Sequence, residues 1–229
     1  NGFKVTIEES NSRILETTDY LDSGCKIAKE HTWPGAPKDA IIFGLKELPN
    51  DSSVLSHRHI MFGHAFKGQN SGLALLKRLK SDRGTLYDIE YLTDEYGKRV
   101  AAFGYWAGYA GAAVAIKVFL SHKNNTEFSK IDYYKSKDTL INELESEISC
   151  SNLGIPNVIV IGALGRVGSG ACDLCKTLKM KVTKWDKEET RSRGPFKEIL
   201  DHDIFLNCIL ATKNTPIFFS KEYIKKPRQ

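Results

Sequence analysis

Four apolar residues, Val158 to Ile161, run without a break into a stretch with glycines at 162, 165, 168 and 170. Glycine loses more freedom on ordering than any other residue, so such a cluster marks a tight turn or a close approach to the main chain. The apolar run has the length of a buried strand, and "ACDLCKTL" beyond it has helical character, with a helix expected over 168–179. Strand, glycine turn and helix in that order define a β-α-β layer. The start of its helix offers unpaired N–H groups and the positive end of a dipole to a diphosphate. The spacing Gly162-x-x-Gly165-x-x-Gly168 is a variant of the G-x-G-x-x-G pattern. A second strand, "KVTKWD", ends at Asp186, 24 residues after Gly162 and 18 after Gly168. A carboxylate at that place bonds the ribose hydroxyls of an adenosine and repels a 2′-phosphate. The reading is nucleotide binding, with NAD favoured over NADP; Arg191 and Arg193 keep the second choice open.

The same alternation extends along the chain. "FKVTIE" over 3–8 alternates as a strand, and the residues to Ile27 read as loop and short helix. Ala40 to Leu45 is an apolar run closed by Pro49, expected as a buried strand ending in Lys46 and Glu47. "HIMFGHAF" is a strand, "LALLKRLK" a helix and "GTLYDIEYL" a strand again. Strands that alternate with helices predict an α/β protein. The Gly/Ala-rich segment after Arg99 has an uncharged run from Val100 to Ile116, short of the roughly 20 apolar residues a membrane span needs. Lys117 interrupts it, and a buried helix is expected instead. "SHKNNTEFSKIDYYKSKD" reads as a surface loop, "TLINELESEISC" as an amphipathic helix and "DIFLNCIL" as a strand.

Composition excludes several classes. Of 229 residues 41% are apolar, enough for a core, and the net charge of +5 is spread without a basic block, so no nucleic-acid partner is expected. Five cysteines are too few and too scattered for a disulfide framework, which points to a reducing compartment. The Cys172-x-x-Cys175 pair has no second pair to complete a zinc site and is expected to be small buried filling. No signal peptide is visible. We expect a cytoplasmic monomer. The chain opens without Met, on "NGFKVTIEES", which reads as the middle of a domain.

Lys46, Glu47, His57, His59, His64 and Lys67 gather near two strand ends. His57 and His59 share a strand face, expected to be exposed or hydrogen-bonded rather than metal-bound. By residue type, a lysine and a histidine side by side suit general acid–base work, and a solvated basic edge is the alternative.

"GLKELP", "HRHIMFGHAFKGQ", "GTLYDIEYLTDEYGKRVAAFGYWAGYAGAA", "VIGALGRVGSGA", "KWDKEETRSRGPF" and "DIFLNCI" follow one another in this order. Together they resemble the family of NAD-dependent, lysine-forming saccharopine dehydrogenases, in the alanine dehydrogenase-like superfamily. The resemblance implies two Rossmann-like domains with a cleft between them, both incomplete here. A catalytic and substrate domain would span 1–103, and an NAD-binding domain 104–229 with a linking helix over 104–120. It implies NAD-dependent oxidation of saccharopine to an imine, which water splits into lysine and 2-oxoglutarate. By the family pattern Lys46 is the amine base and His64 handles protons during hydrolysis. Lys67, Arg99, Glu47 and Glu90 line the substrate site, with a plain Glu90–Arg99 salt bridge as the alternative for Glu90. Gly162, Leu164, Gly165, Arg166, Val167, Gly168, Asp186 and Cys208 contact the cofactor, and no metal is implied. The family pattern continues beyond both ends, so the chain is expected to be the middle of a longer enzyme. Two alternatives stand beside this: another amino-acid dehydrogenase of the alanine dehydrogenase or lysine–ketoglutarate reductase type, and a non-catalytic NAD-binding protein.

Overall fold

A computed structural model describes residues 2–45, 48, 54–66, 68, 70–128, 131–151, 153–191, 194–211, 213 and 215–224. The chain divides into two α/β units, Asn1–Ala102 and Phe103–Gln229.

In the first unit, β1 (Thr6–Glu8) and β2 (Lys26–Ala28) pair in parallel, with α1 (Thr17–Asp22) between them in sequence. A separate parallel sheet has the order β3 (Ile41–Phe43), β4 (Arg58–Met61), β5 (Thr85–Asp88). Helix α2 (Asn70–Asp82) makes the crossover from β4 to β5. Its first turn packs so tightly on the loop after β4 that a Cβ at Gly72 would stand 2.8 Å from the Ala65 carbonyl oxygen.

Two expectations need correction here. The run from Ala40 to Leu45 does form a strand, but only over Ile41–Phe43, and Phe43 is 76% exposed rather than buried. As an edge strand, β3 has β4 on one side only, and the sequence carries no sign of which apolar run lies central. Of the two histidines expected to be exposed or hydrogen-bonded, both are buried: His57 meets the hydrogen-bonded alternative, and His59 is the correction. His57 Nε2 lies 3.1 Å from the Ala36 carbonyl oxygen. His59 packs edge-on against Trp33, and among the described residues neither of its ring nitrogens has a hydrogen-bond partner.

The second unit is built on β6 (Val158–Ile161), buried along its whole length between β7 (Val182–Trp185) and β8 (Ile204–Asn207), all parallel. Side chains alternate across a strand, and each face of β6 serves its own cluster. Val158 and Val160 join residues of α3 (Gly104–Lys123), α4 (Lys137–Cys150) and α5 (Arg166–Thr177). Ile159 and Ile161 meet Phe196, Ile199 and Phe218. A strand buried on both faces reads as an unbroken apolar run, which is why this one was the clearest signal in the sequence.

Helix α5 runs two residues earlier than expected, from Arg166, and α3 extends to Lys123, into the segment read as loop. Gly104 and Gly108 of α3 serve contact with α5 inside this unit. A Cβ at Gly108 would overlap the Val167 carbonyl oxygen, and one at Gly170 would overlap that of Tyr105. Beyond the loop that follows α3, Ser136 caps α4 by accepting the Thr139 N–H at 3.1 Å, which fixes where that amphipathic helix begins. Short helices α6 (Lys187–Thr190) and α7 (Lys221–Ile224) complete the unit. Among the described residues no helix is long and apolar enough to cross a membrane.

Candidate functional site

Because β7 and β8 flank β6 on opposite sides, the chain reverses its winding direction at the C-terminal end of β6. In open parallel sheets that reversal opens the crevice where ligands sit. The glycine turn stands there. Gly162 has φ of 82°, a left-handed conformation, and a Cβ on it would lie 2.6 Å from Ile209 Cγ2. The N–H groups of Gly162 and Ala163 both donate to the Trp185 carbonyl, at 2.8 and 3.1 Å, and Gly165 N–H donates back to the Gly162 carbonyl at 3.1 Å. Ser169 N–H then makes the first helical bond, to the Gly165 carbonyl. Gly165 is therefore the N-cap, and Arg166, Val167 and Gly168 form the first turn, whose amides lack acceptors within the helix. A Cβ on Gly168 would overlap the Gly162 carbonyl oxygen, so this glycine lets the helix start flush against the turn. Leu164, at the tip, is 81% exposed.

Asp186 follows β7 and ties the two ends of the crevice together. Its Oδ2 accepts the Leu164 N–H at 3.0 Å and its Oδ1 the Lys187 N–H at 2.9 Å. Glu189 completes a capping box by accepting the Asp186 N–H at 2.7 Å. A carboxylate has lone pairs left over for hydroxyl donors. Beside it lies a cavity of about 560 Å³ lined by Ile161, Asp186, Arg191, Ile209, Pro216 and Phe218. A floor of apolar side chains with the carboxylates of Asp186 and Glu188 on its wall suits an adenosine, and the first-turn amides of Val167 and Gly168 suit its phosphates. The residues present thus fit a dinucleotide. Cys208 sits at the end of β8, its N–H bonded to the Ile161 carbonyl, and its backbone touches the space a Cβ on Gly162 would fill.

The cysteine pair of α5 is inert filling, as expected. Burial pushes the Cys172 thiol up, and burial together with Cys172 pushes Cys175 up to about 12. Burial and Cys172 also raise Cys208. None of these is poised as a thiolate near neutral pH.

In the first unit the loop after β4 carries His64, a non-glycine residue with φ of 49°. Its Nδ1 lies 3.5 Å from Glu90 Oε2, and Glu90 Oε1 pairs with Arg99 Nη1 at 2.9 Å. Glu90 is buried, whereas the His64 side chain is 31% exposed and reaches solvent. The sequence left Glu90 between a salt bridge to Arg99 and a place in the site, and the geometry has it touching both Arg99 and His64. Lys46, Glu47, Lys67 and Arg193 lie outside the described residues. No group of three metal-ligating side chains exists among the described residues.

One residue escaped the sequence reading. Asp88, the last of β5, accepts N–H groups from Gly63 at 3.2 Å, Ala65 at 3.3 Å and Glu90 at 3.1 Å. The signal was present: an acid closing a strand, as Asp186 does after β7. Only the second of the two stood next to a glycine motif.

Comparison with known proteins follows the same lines. Residues 1–110 match the family model for the alanine dehydrogenase/PNT N-terminal domain. A solved transhydrogenase from Sinorhizobium meliloti shares the fold at a TM-score of 0.56 and 14% identity, over 97% of this chain and 66% of that one. The fold is that of the alanine dehydrogenase-like superfamily. Within it, an L-lysine-forming, NAD(+) saccharopine dehydrogenase of Yarrowia lipolytica is 39% identical over 98% of this chain, and that of Candida albicans 42% over 97%. The α-aminoadipic semialdehyde synthase of Rattus norvegicus is 23% identical. Over nearly its whole length the chain is thus similar to L-lysine-forming saccharopine dehydrogenases. It spans 63% and 64% of the two fungal relatives' lengths.

Proposed function

We propose that the protein carrying this chain oxidises saccharopine with NAD, reversibly, to lysine and 2-oxoglutarate. The observation that carries the reading is the turn after β6: a left-handed Gly162, the first-turn amides of Val167 and Gly168, and Asp186 on the wall of the cavity beside them. Kinship with the fungal enzymes supports the substrate. The competing amino-acid dehydrogenase reading is not favoured by that kinship, and the presence of both Lys46 and His64 argues against a chain that only binds NAD.

When bound, the nicotinamide accepts a hydride; the chain's residues handle the rest. The substrate's secondary amine must lose its proton before it can release hydride, and Lys46 is the base in this reading. A lysine serves as a base near neutral pH only where burial or neighbouring cations lower its pKa, and in this reading Lys67 and Arg99 are the cations. The imine must then gain water and the departing amine a proton. His64 reaches solvent with one nitrogen turned to Glu90, which suits it to pass that proton. Arg99 offers a guanidinium to a substrate carboxylate while holding Glu90 in place. Val167, Gly168 and their neighbours receive the diphosphate, Asp186 the ribose, and Cys208 lines the approach beside Gly162. Five free cysteines agree with a reducing, cytoplasmic setting.

The test is NADH oxidation driven by a panel of amino-acid and keto-acid pairs, in the natural full-length protein. Lysine with 2-oxoglutarate should be the preferred pair. Lys46→Met and His64→Gln should each lower kcat by roughly 10²- to 10⁴-fold while NADH affinity holds. NADH binding without turnover of any pair would establish the non-catalytic alternative.

A further inference from the structure

We propose that Asp88 is the positioning residue of the proton-transfer site, holding His64 and Glu90 against each other through their backbones. The inference rests on the reading of His64 given above. An imidazole that passes protons must be kept in one orientation, yet His64 sits on a loop and in a left-handed conformation that residues with a Cβ adopt at a cost. Something must hold it there. Asp88 Oδ1 accepts the N–H of Gly63 and Oδ2 that of Ala65, so the carboxylate grips the loop on both sides of His64. The same Oδ1 accepts the N–H of Glu90, the residue whose carboxylate faces His64 Nδ1. One side chain thus sets both members of the pair.

The surroundings are shaped for this. Asp88 pairs with Met61 in the ladder of β4 and β5, which brings it level with the start of the His64 loop. Gly63 admits it: a Cβ there would lie 3.3 Å from Asp88 Oδ2 and 3.1 Å from Leu86 Cδ2. From the other side the first turn of α2 presses on the Ala65 backbone through Gly72. The loop is clamped between a carboxylate and a helix, and the imidazole between them keeps its access to solvent.

Asp88→Asn tests this, because an amide has one accepting oxygen and turns an NH₂ toward a backbone N–H. The variant should lower kcat for lysine and 2-oxoglutarate by roughly 10- to 100-fold, with NADH affinity unchanged, since small misplacements of a reacting group cost about that much. The His64 ring signals should shift in long-range proton–nitrogen spectra while those of His57 and His59 stay in place. Should Asp88→Asn fail to fold, Gly63→Ala crowds the same carboxylate and should give a smaller loss of the same kind. The proposal is overturned if Asp88→Asn keeps its kcat while His64→Gln loses it, or if kcat and NADH affinity fall together. Undiminished turnover by His64→Gln would instead overturn the reading of His64 on which the inference stands.

Discussion

The two units solve one mechanical problem in the same way and then diverge. In each, a strand runs into a loop and a helix, and the following strand ends in an aspartate that reaches back to the first loop. Asp186 takes the Leu164 N–H in the turn after β6. Asp88 takes the Gly63 and Ala65 N–H groups in the loop after β4. The difference lies in what each loop exposes. After β6 the glycines at 162, 165 and 168 remove side chains where the turn meets the helix and leave main-chain amides as the working surface. After β4 the backbone is gripped and an imidazole is put forward, with Glu90 and Arg99 behind it. A main-chain site can be written in consecutive residues, whereas a side-chain site draws on positions far apart in the chain.

The comparison breaks first at the glycines. Gly168→Ala places a methyl on the Gly162 carbonyl oxygen and 2.6 Å from Ala163 Cα. It should cost the second unit about 1–3 kcal/mol, as overpacking does, and abolish NADH binding, measured by fluorescence titration and thermal melts. Retained binding would mean that the flush helix start does not matter. Next, Asp186→Ala removes both the tie to Leu164 and the cap of α6. We expect roughly a tenfold weaker NADH affinity, equivalent to about 1.4 kcal/mol, and a loss near 1 kcal/mol in stability from the cap. An unchanged affinity would reduce Asp186 to a structural tie and separate it from any ribose.

The smallest effect sharpens the first unit. Burial, then His57 and Arg78, hold His59 below its ordinary pKa of 6.5. In the window below that value the unfolded chain binds more protons than the folded one. Stability is therefore full above about pH 6.5 and falls as pH drops through the interval down to the folded pKa. Melts between about pH 7.5 and about pH 5 should show this decline, and His59→Phe, which keeps the edge-on packing with Trp33, should flatten it. A slope that survives the substitution would assign the effect to another group.

Much of the second unit was legible because its information is local. Val158–Ile161 is buried on both faces and so is apolar at every position, and the turn glycines follow at once. The first unit was harder. Three apolar runs of similar length gave no sign that β4 lies central and β3 at an edge with Phe43 open, because strand order depends on partners the run does not name. Burial of His59 with neither nitrogen bonded among the described residues was equally hidden: the residue type predicts a satisfied or solvated imidazole. Asp88 was passed over because two of its three N–H partners, Gly63 and Ala65, lie on the loop after another strand.

By itself the sequence determined the α/β alternation, the glycine turn with its closing Asp186, and the family kinship, all carried by residues that are neighbours in the chain or recur at a fixed period. Tertiary structure alone decided that Gly108 and Gly170 exist to let α3 and α5 touch backbone to backbone, and that Glu90 stands between Arg99 and His64 under the hold of Asp88. Apart from the nearby Glu90–Arg99 and Asp88–Glu90 pairs, those are contacts between segments tens of residues apart, and a contact of that kind has no period or spacing by which a linear reading can find it.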